Sequence, residues 1–254
     1  MIISKYKNLL LHLRIPGQVR WRELAVAVHN CPVCDYRRVI VRMRNNPISV
    51  RCLTCRSTAV TMSLVGVLRR FVPELTEKKV YELSSRGPLV NFLKRNCKKL
   101  TCSEYLDGVK PGDFKDGVQC QDVQQLTFPD NSFDICTSTE VFEHVPDDLA
   151  GFAEIRRVLR PGGLFIFTVP VFPSPETIER ARLDRKFEVR HLLPPQYHSD
   201  PIRGHKGVLV FRDYGRDIVK RLEKSGFREA QLIHPENRIP YGYGRPVILA
   251  RKCT

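Results

Sequence analysis

The chain of 254 residues has no apolar run approaching the roughly 20 residues that a helix needs to cross a bilayer. This excludes a helical membrane protein. Its start, Met1-Ile-Ile-Ser-Lys-Tyr-Lys, lacks an apolar stretch followed by a small-residue cleavage site, so no secretory leader is expected and the reading is cytoplasmic. Acidic residues are scarce in the first 72 positions: 2 stand against 13 Lys or Arg, a net of +11, while the other 182 positions hold 25 against 29, a net of +4. The basicity therefore belongs to an N-terminal module. It points either to a polyanionic partner such as RNA, an anionic membrane surface or a phosphorylated substrate, or to a solubilising face with no specific partner. At 42% hydrophobic residues the chain can bury a full α/β core and still carry a small extra module.

Four of the nine cysteines carry a pattern. Cys31-Pro-Val-Cys34 and Cys52-Leu-Thr-Cys55 are two C-x2-C pairs separated by 17 residues, the spacing of a four-cysteine zinc ribbon. Two-residue spacers let neighbouring thiolates converge on one tetrahedral ion, and the residues between the pairs read as strands and a turn. Four thiolates leave no open position, so the expected site is structural; paired disulfides or metal-free thiols are the alternatives. Cys97, Cys102, Cys120, Cys136 and Cys253 lack such spacing and read as small packing residues. Before the ribbon (29–60) lies a basic, apolar segment (1–28) that could rest on an anionic membrane surface. After it, Val60, Leu64, Val67 and Leu68 mark a connecting helix within 61–77, and the main domain is expected over 78–254.

The most informative stretch runs from Thr127 to Pro170. Asp130-Asn-Ser forms a turn cluster ahead of the short apolar run Phe133-Asp-Ile-Cys136, which reads as a buried strand. Phe152, Ile155, Val158 and Leu159 make the stripe of an amphipathic helix. Pro161-Gly-Gly163 stops it, and Leu164 to Val169 reads as a central parallel strand. Taken in order, Thr127-Phe-Pro-Asp-Asn-Ser-Phe-Asp-Ile, Glu140-Val-Phe-Glu-His144 and Arg157-Val-Leu-Arg-Pro-Gly-Gly163 resemble the class I S-adenosylmethionine (SAM) dependent methyltransferases, of the small-molecule "type 11" kind. The resemblance covers roughly residues 78 to 252. It implies an α/β fold with a Rossmann-like seven-stranded sheet and an antiparallel ending, here supplied by Ala230-Gln-Leu-Ile and Val247-Ile-Leu-Ala after a helix over Asp213–Gly226.

The same resemblance implies a cofactor site. It places Glu82, Ser84, Arg86 and Gly87 in the loop after the first strand, where Ser84, Arg86 and Pro88 stand in place of glycines that let a backbone approach its ligand. Glu104 falls where the family's acid accepts the ribose hydroxyls, Asp122 where an acid receives the adenine amine, with Val123 beside the ring and Glu140 at the sheet edge. Methyl transfer mainly requires an acceptor atom held in line and away from water, and a hydroxyl acceptor also needs a base. His144 is one candidate. The stretch 171–212 is too long for an ordinary connection and holds His191, His198 and His205; it reads as an acceptor-binding lid in which His198 and Asp200 form a base and its orienter. No Asn/Asp-Pro-Pro-Tyr motif follows the fourth strand, which counts against amide or adenine-amine methylation, and no Pro-Cys nucleophile is there for pyrimidine C5 chemistry. The expected activity is O-methylation of a small-molecule or saccharide hydroxyl, with SAM as cofactor and zinc as a structural ion. The alternatives are an RNA methyltransferase that grips phosphates with its ribbon, and a degenerate, non-catalytic scaffold.

Overall fold

The computed structural model describes residues 22–200, 204–234 and 246–253, so most of the basic segment expected over 1–28 lies outside the described residues. The described chain begins with a three-stranded antiparallel sheet, β1 (Ala25–Cys31), β2 (Tyr36–Arg42) and β3 (Val50–Cys52). Each cysteine pair ends in a turn of the same form. Asp35 N–H donates to Cys31 O at 2.8 Å and Arg56 N–H to Cys52 O at 2.8 Å, and both Asp35 (φ 65°) and Arg56 (φ 61°) adopt the left-handed conformation that non-glycine residues seldom take. These turns aim all four thiols at one point.

Helix α1 (Ala59–Phe71) follows, capped by the Thr58 hydroxyl, which accepts from Thr61 N–H at 3.1 Å. Only its last turn and Gly66 escape burial, because it is covered on both sides. The ribbon residues Cys31, Val33, Ile40 and Cys52 and the sheet residues Val80, Ile135, Ile166 and Leu249 share one apolar cluster with it.

The main sheet is built from β4 (Lys79–Glu82), β5 (Lys99–Glu104), β6 (Phe114–Lys115), β7 (Val118–Cys120), β8 (Phe133–Thr139) and β9 (Leu159–Thr168), completed by two strands near the C-terminus. Helices α2 (Pro88–Asn96) and α3 (Asp148–Val158) connect β4 to β5 and β8 to β9. Between residues 171 and 213 the chain makes only small antiparallel ribbons: β10 (Ile178–Glu179) with β15 (Arg212–Asp213), β11 (Ala181–Leu183) with β12 (Val189–His191), and β13 (Tyr197–Asp200) with β14 (Gly204–Leu209). Helix α4 (Ile218–Lys224) then leads to β16 (Glu229–Ile233) and β17 (Val247–Arg251).

The sheet order is β16-β17-β9-β8-β4-β5-β7-β6. Strands β7, β5, β4, β8 and β9 run parallel, and β17 is antiparallel to both β9 and β16. This is a Rossmann-like sheet with the antiparallel ending that the resemblance implies. It has eight strands where seven are expected; the addition is β6, joined to β7 by a two-residue turn at Asp116 (φ 51°) and Gly117 (φ 75°). Alternation along the strands feeds two layers. Ile166, Val80 and Leu249 face α1 and α2, whereas Phe165, Phe167, Tyr81 and Ile248 face α3 and α4.

Two boundaries differ from expectation. Strand β9 starts at Leu159, before the Pro-Gly-Gly element, because its pairing with β8 jumps from Phe133↔Leu159 to Ile135↔Leu164 and the turn is accommodated as a bulge. Gly163 is required there, since a Cβ would stand 2.8 Å from Arg160 O and 3.0 Å from Asp134 O. The helix expected over Asp213–Gly226 is only α4, because Arg212 to Tyr214 are drawn into pairing with Val171 and Ile178 and into a buried ionic network.

Candidate active site and cysteine cluster

A cleft of about 1810 Å³ opens at the carboxyl edge of β4, β5 and β8, roofed by the ribbons of 171–213. One small-molecule site usually occupies roughly 300–1,000 Å³. This cleft has room for a cofactor and an acceptor side by side.

One wall holds the residues assigned to the cofactor. Glu104, at the end of β5, accepts three hydrogen bonds on Oε1, from Ser84 Oγ (3.1 Å), Ser85 N–H (2.8 Å) and Ser85 Oγ (3.0 Å), which leaves Oε2 for a ligand. Ser84, which stands in place of a glycine, and its neighbour Ser85 are thus drawn back onto Glu104. Arg86 is exposed at the rim, and Gly87 (φ 105°) turns the chain into α2. At the next strand end, Asp122 closes a tight turn by accepting from Gln124 N–H at 2.9 Å, with Val123 lining the floor. Glu140 takes a left-handed conformation (φ 53°) and donates its N–H to Thr168 O at 2.8 Å. Thr139 Oγ1, on the same edge, is buried with no hydrogen-bond partner among the described residues, a polar atom suited to a ligand. These groups fit SAM: an acid for a ribose diol, an acid for an amine and an open glycine turn.

Glu82 lies elsewhere. It is 1% exposed beneath the loop, where the Thr137 hydroxyl donates to Oε2, and burial pushes its carboxyl up to about 8 against the opposing Thr137 bond, with Glu104 adding repulsion. It supports the loop from below and does not line the cleft.

The opposite wall brings together residues far apart in sequence. His144 Nδ1 lies 2.8 Å from Leu209 O. A carbonyl only accepts, so Nδ1 carries the proton and Nε2 is the basic nitrogen of the neutral ring. Nε2 is 3.7 Å from Glu143 Oε1, and His198 Nδ1 is 3.7 Å from the same oxygen. The imidazoles of His144 and His198 meet edge to face with centroids 5.0 Å apart. The Glu143 carboxylate beside His198 is 1% exposed; the expected pairing of His198 with Asp200 falls on a side chain outside the described residues. The Glu-His pair at 143–144 is visible in the sequence; its meeting with His198 depends on how the insertion folds back.

That return is held by a network sequence reasoning missed. Phe211 N–H donates to Glu143 O at 2.8 Å. Arg212, 3% exposed, donates to Phe142 O (3.2 Å), Pro146 O (2.6 Å) and Glu179 Oε2 (3.1 Å). Buried Asp148 accepts from Arg221 at 2.6 and 2.8 Å and from Tyr214 Oη at 2.8 Å. The turn carrying Glu143 and His144 is fastened to the insertion and to α4 at once.

In the cysteine cluster, Cys31 Sγ and Cys55 Sγ are 3.7 Å apart, and Cys34 Sγ and Cys52 Sγ 3.8 Å. A tetrahedral ion with bonds of about 2.3 Å to sulfur requires edges of about 3.8 Å. The geometry fits zinc. Burial, reinforced by its thiol neighbours, pushes Cys34 up to about 11, while proton sharing with Cys31 and Cys52 holds Cys55 low. Ser57 Oγ lies 2.9 Å from Cys55 Sγ, where its hydroxyl can steady a thiolate.

Residues 84–167 match the family described as "Methyltransferase domain". The sterol 24-C-methyltransferase erg6 of Aspergillus fumigatus is 35% identical over 101 residues, 40% of this chain and 24% of that protein. An uncharacterized methyltransferase of Mycobacteroides abscessus is 36% identical over 103 residues, 35% of this chain and 40% of that protein. The chain thus spans a quarter to two fifths of the length of these relatives. A crystal structure of an S-adenosylmethionine dependent methyltransferase from Mesorhizobium loti aligns over 74% of this chain and 97% of its own, at 15% identity and a TM-score of 0.48.

Proposed function

We propose that the protein is a SAM-dependent methyltransferase that acts on a hydroxyl of a small molecule or saccharide. The observation that carries this reading is the pairing, across one cleft, of Glu104 and Asp122 on one wall with His144 and His198 on the other. SAM supplies an activated methyl group when bound. Glu104 would hold its ribose, Asp122 its adenine amine, and Arg86 its carboxylate at the rim. The acceptor hydroxyl would lie against His144 and His198, whose cluster with Glu143 handles its proton, while the ribbons of 171–213 exclude water. An imidazole, which takes and gives a proton more readily near neutral pH than any other side chain, is best matched to that task.

Calorimetry with SAM and turnover of labelled methyl onto hydroxyl acceptors test this. Binding of SAM that falls in Glu104→Ala, together with turnover reduced about 10²–10⁴-fold in His198→Ala while SAM binding persists, is the expected result. Full turnover by His198→Ala overturns the assignment of this wall. No SAM binding at all favours the scaffold reading.

The cysteine cluster is proposed to hold one structural zinc ion. The RNA reading keeps one observation in its favour: β2 begins with exposed Tyr36 and Arg37 and half-buried Arg38, whose guanidinium lies 5.2 Å from the Tyr36 ring. RNA binding whose affinity falls steeply with salt, and is lost in Arg37→Ala/Arg38→Ala, would favour it; a flat salt response would leave the small-molecule reading.

A further inference from the structure

We infer that Glu143, His144 and His198 form a second metal site, a three-ligand centre for a divalent transition ion with an open position toward the cleft. The inference rests on the proposed methyl transfer only for its purpose, since the site itself stands on geometry. One carboxylate oxygen and two imidazole nitrogens lie within 4.8 Å of one another, with Glu143 Oε1 at 3.7 Å from both His144 Nε2 and His198 Nδ1. Those separations exceed a hydrogen bond. Ligands around a tetrahedral ion at 2.0–2.1 Å are about 3.3 Å apart, so the two edges to Glu143 need to close by about 0.4 Å each, and the edge between the imidazoles, within 4.8 Å, by up to about 1.5 Å.

Three further features favour an ion over a plain proton relay. His144 is already fixed in the required tautomer, because Nδ1–H is committed to Leu209 O and Nε2 faces inward, the outer-shell arrangement that orients metal-bound histidines. His198 Nε2 has the Gln196 amide 3.5 Å away, and rotation of that amide presents its carbonyl oxygen, which would hold the proton on Nε2 and leave Nδ1 to the ion. Glu143 is a carboxylate only 1% exposed, and a divalent charge would offset the cost of burying it. Two imidazoles with one carboxylate are the donor set of catalytic zinc sites and of their borderline neighbours, which keep a fourth position open. His144 and His198 both line the cleft, so that position faces the acceptor. An acceptor hydroxyl bound there would become more acidic and pass its proton to solvent; as its oxygen bonds the methyl carbon of SAM, the carbon–sulfur bond would break and S-adenosylhomocysteine would leave.

The test uses the full chain, dialysed against Zn²⁺ and counted by elemental analysis, and in parallel loaded with Co²⁺. Two ions per chain are expected, one showing thiolate-to-cobalt absorption from the cysteine cluster and one showing only the weaker bands of nitrogen and oxygen ligands. His144→Ala/His198→Ala should retain the thiolate signature, which shows that the ribbon is intact, and lose one ion. Glu143→Gln should weaken the second ion at least about tenfold. One ion per chain in both wild type and double variant overturns the site. S-adenosylhomocysteine calorimetry on the same samples separates the two readings: two ions without nucleoside binding sinks methyl transfer and keeps the centre, whereas one ion with nucleoside binding does the reverse.

Discussion

Glu82 shows how a single buried acid can make stability depend on pH. Its carboxyl titrates near 8 in the folded chain and near 4.5 when exposed, so between those values the folded state holds a proton that the unfolded state has released. Stability contributed by this group therefore falls as pH rises from about 4.5 to about 8, by about 1.4 kcal/mol per pH unit at most, and levels off above. Glu82→Gln should flatten that slope, measured as urea midpoints at pH 5 and pH 8, and a variant whose slope equals wild type would show that Glu82 is ionised in the fold. At this scale the sequence was readable for Glu104, Asp122 and His144, whose positions follow from a signature with fixed spacing. It was not readable for Glu82's burial or for the partner of His198. Both depend on what folds over them.

At the scale of elements, the site is an agreement between the turn at 142–148, the ribbons ending in β15, and α4. Arg212 ties the turn to the ribbons through the carbonyls of Phe142 and Pro146 and the half-exposed carboxylate of Glu179, which Arg221 of α4 shares. Arg212→Ala leaves Asp148 with one cation fewer and several carbonyls without donors, and it should cost about 3–5 kcal/mol in urea unfolding. Turnover should fall in step with the displaced Glu143 turn even where the fold survives. A loss under 1 kcal/mol would show the network to be incidental. Elements with strong local codes were legible: the Asn131 turn, β8, α3 and the apolar run of β9. The eighth strand was not anticipated: Asp116-Gly117 is a hairpin signal, but each flanking strand is only two or three residues long. The shortened α4 was not legible, because helical spacing cannot reveal that Tyr214 is claimed by Asp148 across the core.

For the whole molecule, the cysteine module and the large sheet are not independent. Cys31 and Cys52 sit in the same apolar cluster as α1 and the central strands, so loosening the thiol cluster exposes a face of the main core. Chelation of zinc should therefore lower the melting temperature of the entire chain in one transition, followed by calorimetry, and two separate transitions would show the module to be a mere appendage. Cysteine spacing announced this centre at the outset, whereas its burial against the sheet needed the fold.

The return strand through Leu209, Phe211 and Arg212 carries one more implication. The same short stretch that closes the acceptor space also fixes the ring orientation of His144 and the backbone of Glu143. Selectivity and reactivity are therefore inherited together. A homologue that lengthened or shortened this stretch to admit a new compound would have to rebuild its chemistry in the same step, so grafting the loop between relatives should carry the activity along with the preference or abolish both.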